Sequence, residues 1–234
     1  AVRALEALAA RPHALFERRI LELVGSRSVG LRRAALRAAA QLAGSRAEVA
    51  LLRALADRDQ PVQLEALELL VRRGGERTEA TLLAMLGARD SLRYHVIRAL
   101  GHLRSARAAG RLQALYPECG PYERLEIVWA LIRIASPDLP EFLLVRLDES
   151  ETEIRRVAAH GLAELADPAR LPLLCQLAAD PDWNVRTEAA RGLGLLGMEA
   201  CRDPLLTLVR DLEPVVARTA RKALDQLPAV AIPA

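Results

Sequence analysis

Leucines and alanines recur three and four residues apart along most of the chain, with charged residues between them. This spacing places the apolar side chains on one face of an α-helix. Three segments share a further pattern, in which an aliphatic residue precedes an arginine and is followed by small residues and then leucines. These segments are 30–42, 153–165 and 184–196. No segment alternates apolar and polar residues as a strand does. The pattern predicts an all-α protein.

The helical pattern repeats with a fixed step. We define the anchor of each repeat as the residue that follows the aliphatic position of this pattern. Successive anchors are 30 or 31 residues apart. They are Arg32, Gln63, Arg93, Arg124, Arg155, Arg186 and Ala217. A second helical pattern follows the first, at 48–57, 79–86, 139–147 and 170–180, and glycine or proline lies near the end of each first helix. The sequence therefore predicts an α-solenoid of about seven two-helix repeats, forming a single domain over residues 1–234.

Two segments carry a family resemblance, DESETEIRRVAAHGLAEL at 148–165 and DPDWNVRTEAARGLGLLG at 180–197. An aspartate opens the turn, Val-Arg or Ile-Arg and Ala-Ala follow, and glycine and leucine close the helix. These features resemble HEAT repeats, in particular the short bacterial, bilin-lyase-type HEAT-like repeats. The resemblance implies a right-handed superhelix with first helices on its convex side and second helices on its concave side. It also implies binding to other macromolecules. The repeats of Gln63 and Arg124 depart from the motif.

We predict structural roles for the anchor arginines and for the alanines that follow them. Asp180 lies six residues before Arg186, so we expect a turn carboxylate to meet the anchor arginine of its own repeat or of a neighbouring one. Small residues in the first helices allow close approach of the helices. They include Ala34, Ala35, Ala158, Ala159, Ala189 and Ala190.

The chain shows no catalytic constellation. His95 and His102 share a helix face, but neither has a cysteine or carboxylate at metal-ligand spacing. Cys175 falls among core leucines, whereas Cys119 falls in a loop where we expect exposure. Gly192-Leu193-Gly194 indicates helix packing rather than a phosphate-binding loop. We therefore predict a non-catalytic scaffold or adaptor without metal or cofactor. A bilin-lyase-like enzyme subunit is an alternative. The site residues of HEAT-like DNA glycosylases and of di-iron hydroxylases are absent from this sequence.

Three cysteines form no complete disulfide set, which favours a cytoplasmic location. No apolar run approaches the roughly 20 residues of a membrane-spanning helix. The sequence begins with Ala1 rather than methionine and is already helical in pattern, so we interpret it as a fragment of a longer chain. A hydrophobic helix upstream would provide a membrane anchor.

Charge is distributed unevenly along the chain. Residues 1–111 hold 20 arginines and 11 acidic residues, a balance of +9, whereas residues 112–234 have a balance of −6. The basic half favours an acidic protein partner. Alternatives are a nucleic-acid backbone or an anionic membrane surface, and the opposite charges of the two halves would also permit head-to-tail self-association.

One stripe of the first helices combines this charge with aromatic residues. Positions one, five and nine after each anchor share a helix face, and nine of these 21 residues are Arg or Lys against two acidic ones. Trp129 stands in a column that is otherwise polar, so we expect it to face solvent and to act as a hot spot. The predicted binding residues are Trp129, Tyr94, Leu125 and His102, with Arg98 and Arg133 at the rim and Arg33, Arg37 and Arg72 in the basic half.

Overall fold

The computed structural model describes residues 14–88 and 91–228, and within these ranges every regular element is a helix. Short 3-10 turns precede several of the second helices. In chain order the α-helices are α1 (Ala14–Leu23), α2 (Val29–Ala40), α3 (Ser45–Ala54), α4 (Gln60–Arg73), α5 (Glu76–Met85), α6 (Arg93–His102), α7 (Ala109–Leu115), α8 (Pro121–Ile134), α9 (Leu139–Arg146), α10 (Thr152–Glu164), α11 (Leu171–Leu177), α12 (Trp183–Leu196), α13 (Arg202–Leu208) and α14 (Pro214–Gln226).

The helices form two compact units, Ala1–Tyr116 and Pro117–Ala234. In the first unit, α2 packs on its second helix α3 and on the next first helix α4, and α4 packs on α6. In the second unit, α8 packs on α10, α10 on α12 and α12 on α14. Six of the seven anchors are the fourth residue of their first helix, whereas Arg93 is the first residue of α6. The predicted helical repeats and their step are thus confirmed, and the single domain remains a prediction.

An arginine–aspartate bond links consecutive repeats. Arg32 donates from Nε and Nη2 to the two carboxylate oxygens of Asp57, each at 2.9 Å. Its Nη1 donates to the carbonyl oxygen of Ser26 at 2.9 Å. Arg186 makes the same set of bonds in the second unit, to Asp211 at 2.7 and 3.0 Å and to the carbonyl of Asp180 at 2.9 Å. The carboxylate therefore comes from the turn of the next repeat, and the arginine's own turn supplies a carbonyl.

Two further anchors donate hydrogen bonds to carbonyl oxygens of their own turns, although neither binds an aspartate of the next repeat within the described residues. Gln63 donates from its side-chain amide to the carbonyl of Asp57 at 2.7 Å, and Arg155 donates to the carbonyls of Glu149 and Ser150 at 2.9 and 3.0 Å. In each case the acceptor lies five or six residues before the anchor. A glutamine thus replaces arginine in the local contact, although it is too short for the contact with the next repeat.

The turn aspartates also order their own turns. Oδ1 of Asp57 accepts a hydrogen bond from the backbone N–H of Asp59 at 2.9 Å, and Oδ1 of Asp211 accepts one from Glu213 at the same distance. The hydrogen bonds from Arg186 stabilise the ionised carboxylate, so the pKa of Asp211 lies below its usual range. Each of these aspartates therefore stabilises its own turn and also binds the anchor arginine of the previous repeat.

The residue eleven positions after the anchor has a left-handed backbone in five consecutive repeats. Two of these residues are glycines, which adopt this conformation without steric cost, and three are not. Their φ angles are 69° at Gly74, 50° at Arg104, 56° at Ala135, 46° at Ala166 and 61° at Gly197. The repeat geometry thus imposes this turn even on residues that disfavour it.

Small residues allow the first helices of the second unit to pack closely. A Cβ atom added to Gly194 of α12 would lie 2.7 Å from the Cβ and 3.2 Å from the Cα of Ala223 in α14. One added to Gly192 would lie 2.8 Å from the Cβ of Ala163 in α10. The predicted role of this glycine pair in helix packing is confirmed, and the six alanines named above are all fully buried.

The cysteines lie in or beside the apolar core. The expectation that Cys119 is exposed was wrong, because the short segment between α7 and α8 places this side chain against the protein and leaves it 6% exposed. Cys175 is half-buried and packs against the core of the second unit as predicted. Burial raises the pKa of the Cys175 thiol, which keeps it protonated at neutral pH.

We predict that Gly194→Ala destabilises the second unit. The new methyl group would meet the backbone of α14 and force the two helices apart, at a cost of about 1–3 kcal/mol in unfolding free energy. Both tryptophans lie in the second unit, so urea denaturation followed by tryptophan emission measures this directly. Gly120→Ser is the control, since no atom lies within 4 Å of its added Cβ. Equal stability of Gly194→Ala and the wild type would contradict the close packing.

Candidate interaction surface

The predicted stripe lies at the protein surface. Every member of the column five residues after the anchors is half-buried or exposed: Arg37, Glu68, Arg98, Trp129, His160, Arg191 and Lys222. Because a buried alanine or leucine is adjacent to each of these positions, the column is the outer edge of the first-helix layer. Trp129 of α8 therefore lies at this edge and not in the core.

Arg33 and Arg37 of α2 are joined by one carboxylate. Both bind Oε2 of Glu65 on α4, at 2.8 and 2.9 Å. Glu65 is largely buried, whereas the two arginines are partly exposed. These cations therefore hold neighbouring first helices together, and much of their charge is compensated within the protein.

Trp129 of α8 lies half-buried between two polar side chains. Its ring meets the ring of His160 on α10 edge to face, with centroids 5.1 Å apart. The guanidinium carbon of Arg133 lies 5.7 Å from the centroid of the tryptophan ring, within the range of a cation–π contact. Trp129 thus combines an apolar surface with an arginine beside it, and part of the ring is covered by the next repeat.

His160 belongs to a charged network between α10 and α12. Its Nδ1 lies 3.2 Å from Oε2 of Glu188 and 2.6 Å from Nη2 of Arg191, and Arg191 also binds Glu164. Burial would raise the pKa of Glu188, but the hydrogen bond with His160 and the charge of Arg191 outweigh it, so this pKa lies below its usual value. The first helices of this unit are therefore linked by ion pairs along their outer edge.

A groove with a volume of about 520 Å³ separates α4 from α6 in the first unit. We call it the first-helix groove. Aliphatic side chains, including Leu64 and Val71, form its floor, and Arg72, Arg98 and His102 lie along it. Arg72 is paired with Glu68 on its own helix. Arg98 is exposed and makes no side-chain hydrogen bond or ion pair with any other residue in the described ranges.

The predicted binding residues therefore fall into separate groups. Arg72, Arg98 and His102 share the first-helix groove, and Tyr94 lies half-buried on α6, with its ring 5.3 Å from that of His95. Leu125, Trp129 and Arg133 occupy successive turns of α8 in the second unit. Arg33 and Arg37 form the ion pairs with Glu65. Trp129 and the α6 residues were predicted to form one site, but they belong to different units.

The acidic partners of the stripe were missed in the sequence analysis. Glu65 and Glu188 each lie two residues after an anchor. They pair with side chains of the previous first helix, Glu65 with Arg37 and Glu188 with His160. Glu126 occupies the same position on α8 and is buried. A column of glutamates adjacent to the basic stripe was the available signal for these bonds.

Within residues 14–88 and 91–228, no group of three His, Cys, Asp or Glu side chains is arranged to hold a metal ion. The helices of the described ranges are also too short or too polar to cross a membrane.

Stacked two-helix repeats of constant length define a helical-repeat protein of the solenoid class. A family model of HEAT repeats matches residues 48–132, 109–181 and 140–225. The chain belongs to the HEAT-repeat family. No curated protein matches it at a significant level.

Solved structures with the same fold are distant in sequence. YibA of Escherichia coli is 20% identical over 86% of this chain and 75% of its own, with a TM-score of 0.59. An engineered protein is 20% identical over 96% of this chain and 73% of its own, with a TM-score of 0.53. A chain from the complex of CpcE and CpcF of phycocyanin lyase from Nostoc is 21% identical over 89% of this chain and 93% of its own, with a TM-score of 0.51. These likenesses concern the fold alone.

We predict that acrylamide quenches Trp129 less than Trp183. Trp183 is the first residue of α12 and is 38% exposed, whereas His160 and Arg133 cover part of Trp129. Single-tryptophan proteins made by Trp183→Phe and Trp129→Phe allow each residue to be measured alone. Equal or stronger quenching of Trp129 would show that its ring is more open than the structure describes.

Proposed function

We propose that this chain is a non-catalytic scaffold that binds another protein through the outer surface of its first helices. The observation that carries the proposal is the first-helix groove, which has an aliphatic floor and charged side chains along it. Protein interfaces commonly combine an apolar centre with a polar rim. Arg98 is available to a partner because its charge is not compensated by another described residue.

The partner is expected to be acidic. Residues 112–116 carry no charge, so the balance of +9 belongs to the whole first unit and the balance of −6 to the second. A positive unit attracts an acidic protein during diffusion and raises the association rate at low salt. Nucleic acid would respond to the same charge, but Arg72 and Arg98 lie in this groove among aliphatic and histidine side chains and Glu68, and do not form a continuous row of cations.

Affinity capture with the full chain tests this proposal. The protein is incubated with a lysate of its source organism, with and without nuclease treatment, and captured proteins are quantified by mass spectrometry. We expect Arg98→Glu to reduce the captured partner by about tenfold or more, as loss of a charge-assisted contact and its replacement by repulsion would. Arg104→Glu is the matched control, because Arg104 is also exposed and makes no side-chain contact in the described ranges, yet lies outside the groove.

The outcome that supports the proposal is a partner retained by the wild type and by Arg104→Glu and lost with Arg98→Glu. Equal capture by all three proteins would place binding elsewhere. Capture that disappears on nuclease treatment would indicate a nucleic-acid ligand and contradict a protein scaffold.

A further inference from the structure

A second groove, with a volume of about 640 Å³, lies over the second helices of the first unit. We call it the second-helix groove. Leu21 and Val24 at the end of α1 and Val49 on α3 contribute its apolar floor, and three arginines line it. These are Arg46 and Arg53 on α3 and Arg77 on α5. The groove is separate from the first-helix groove, with which it shares no residue.

The three arginines differ from those of the first helices in their surroundings. Each side chain is exposed, and none forms a side-chain hydrogen bond or ion pair with another residue in the described ranges. By contrast, Arg32 binds Asp57, and Arg33 and Arg37 bind Glu65. Uncompensated positive charge is therefore also found on the second helices of the first unit.

The arginines follow the repeat. Arg46 and Arg77 are 31 residues apart and occupy the same place in consecutive second helices, fourteen residues after their anchors. Arg107 has the same position in the next repeat and pairs with Glu79 at 3.5 Å. The equivalent residues of the following repeats are Asp138, Ala169 and Ala200. The row of cations is thus a property of the first unit.

The groove fits an acidic polypeptide better than a nucleic acid. Guanidinium groups bind carboxylates in a two-bond geometry, and aliphatic side chains of a peptide would cover the floor. The side chains that line the groove include no aromatic ring on which a base could stack. Packed helices are about 8–10 Å apart, and a chain in the polyproline II conformation advances about 3.1 Å per residue with three residues per turn. Acidic residues three positions apart would therefore lie on one face, about 9 Å from each other, and would reach successive helices.

We propose that the second-helix groove binds an extended acidic segment of another protein, with Arg46, Arg53 and Arg77 pairing with its carboxylates and its aliphatic side chains lying on Leu21, Val24 and Val49. The partner belongs to the same class as in the proposed function, an acidic protein, but the second-helix groove lies on a different face of the first unit from the first-helix groove. Either site could therefore fail without the other.

Fluorescence anisotropy of the full chain with a synthetic peptide tests this inference. The peptide is about twelve residues long, with glutamate at every third position and aliphatic residues between, and spans about 37 Å in the polyproline II conformation. A peptide with glutamine in place of glutamate is the control. We expect the acidic peptide to bind, the neutral peptide to bind at least about tenfold more weakly, and the affinity to fall as salt is raised.

Substitutions locate the binding. The double variant Arg46→Glu and Arg77→Glu is expected to weaken acidic-peptide binding by at least about tenfold, and Arg77→Gln to weaken it by less. Arg104→Glu makes the same charge change outside the groove and is expected to bind as the wild type does. Circular dichroism of each variant shows whether its helices are intact.

Three results would overturn the inference. Equal binding of the acidic and neutral peptides would remove the role of the arginines. Loss of binding in Arg98→Glu, with Arg46→Glu and Arg77→Glu without effect, would move the peptide to the first-helix groove and leave the proposed function intact. Displacement of the peptide by a single-stranded oligonucleotide that binds more tightly would assign the groove to nucleic acid.

Discussion

A guanidinium group that extends from a first helix to the aspartate of the following turn joins one repeat to the next. In both units the arginine uses Nε and Nη2 for the two oxygens of this aspartate and Nη1 for a carbonyl of its own turn. The aspartate in turn accepts a backbone N–H two residues ahead. Arginine and aspartate are 25 residues apart, so the bond can form only if the intervening hairpin keeps its length. The constant step along the chain and the left-handed residue eleven positions after five consecutive anchors are consistent with this constraint.

The same interaction determines where positive charge is available. Arg32 and Arg186 are engaged inside the layer of first helices, and Arg33 and Arg37 are compensated by Glu65. Among the exposed cations without an intramolecular partner in the described residues, Arg98 and the arginines of the second-helix groove lie beside apolar side chains. Because a desolvated charge contributes to binding only when a partner neutralises it, these positions are better suited to recognition than the paired arginines are.

Much of the fold was predictable from the sequence, because apolar spacing and a fixed period are local properties that can be read directly. The anchor arginine, the buried alanines and the packing of Gly192 and Gly194 followed from them. The burial of Cys119 did not, because it depends on how one loop folds over its neighbours. The site was less predictable. Sequence spacing showed that Arg33 and Arg37 share a stripe, but whether Glu65 pairs with them depends on the packing of α2 against α4. The half-buried state of Trp129 depends in the same way on His160, one repeat further on.

A double-mutant cycle on Arg186 and Asp211 tests the link between repeats most directly. Arg186→Gln preserves a donor to the local carbonyl, as Gln63 shows, and Asp211→Asn removes the charge of the acceptor. Since the pKa of Asp211 is lowered in the folded protein, its stabilising contribution is complete above the ordinary pKa of about 4 and is lost as the pH falls through the lower folded value. The account predicts a coupling free energy of about 1–3 kcal/mol at pH 7 in urea denaturation followed by tryptophan emission, and a smaller one in acid. Additive effects of the two substitutions at pH 7, within about 0.3 kcal/mol, would contradict it.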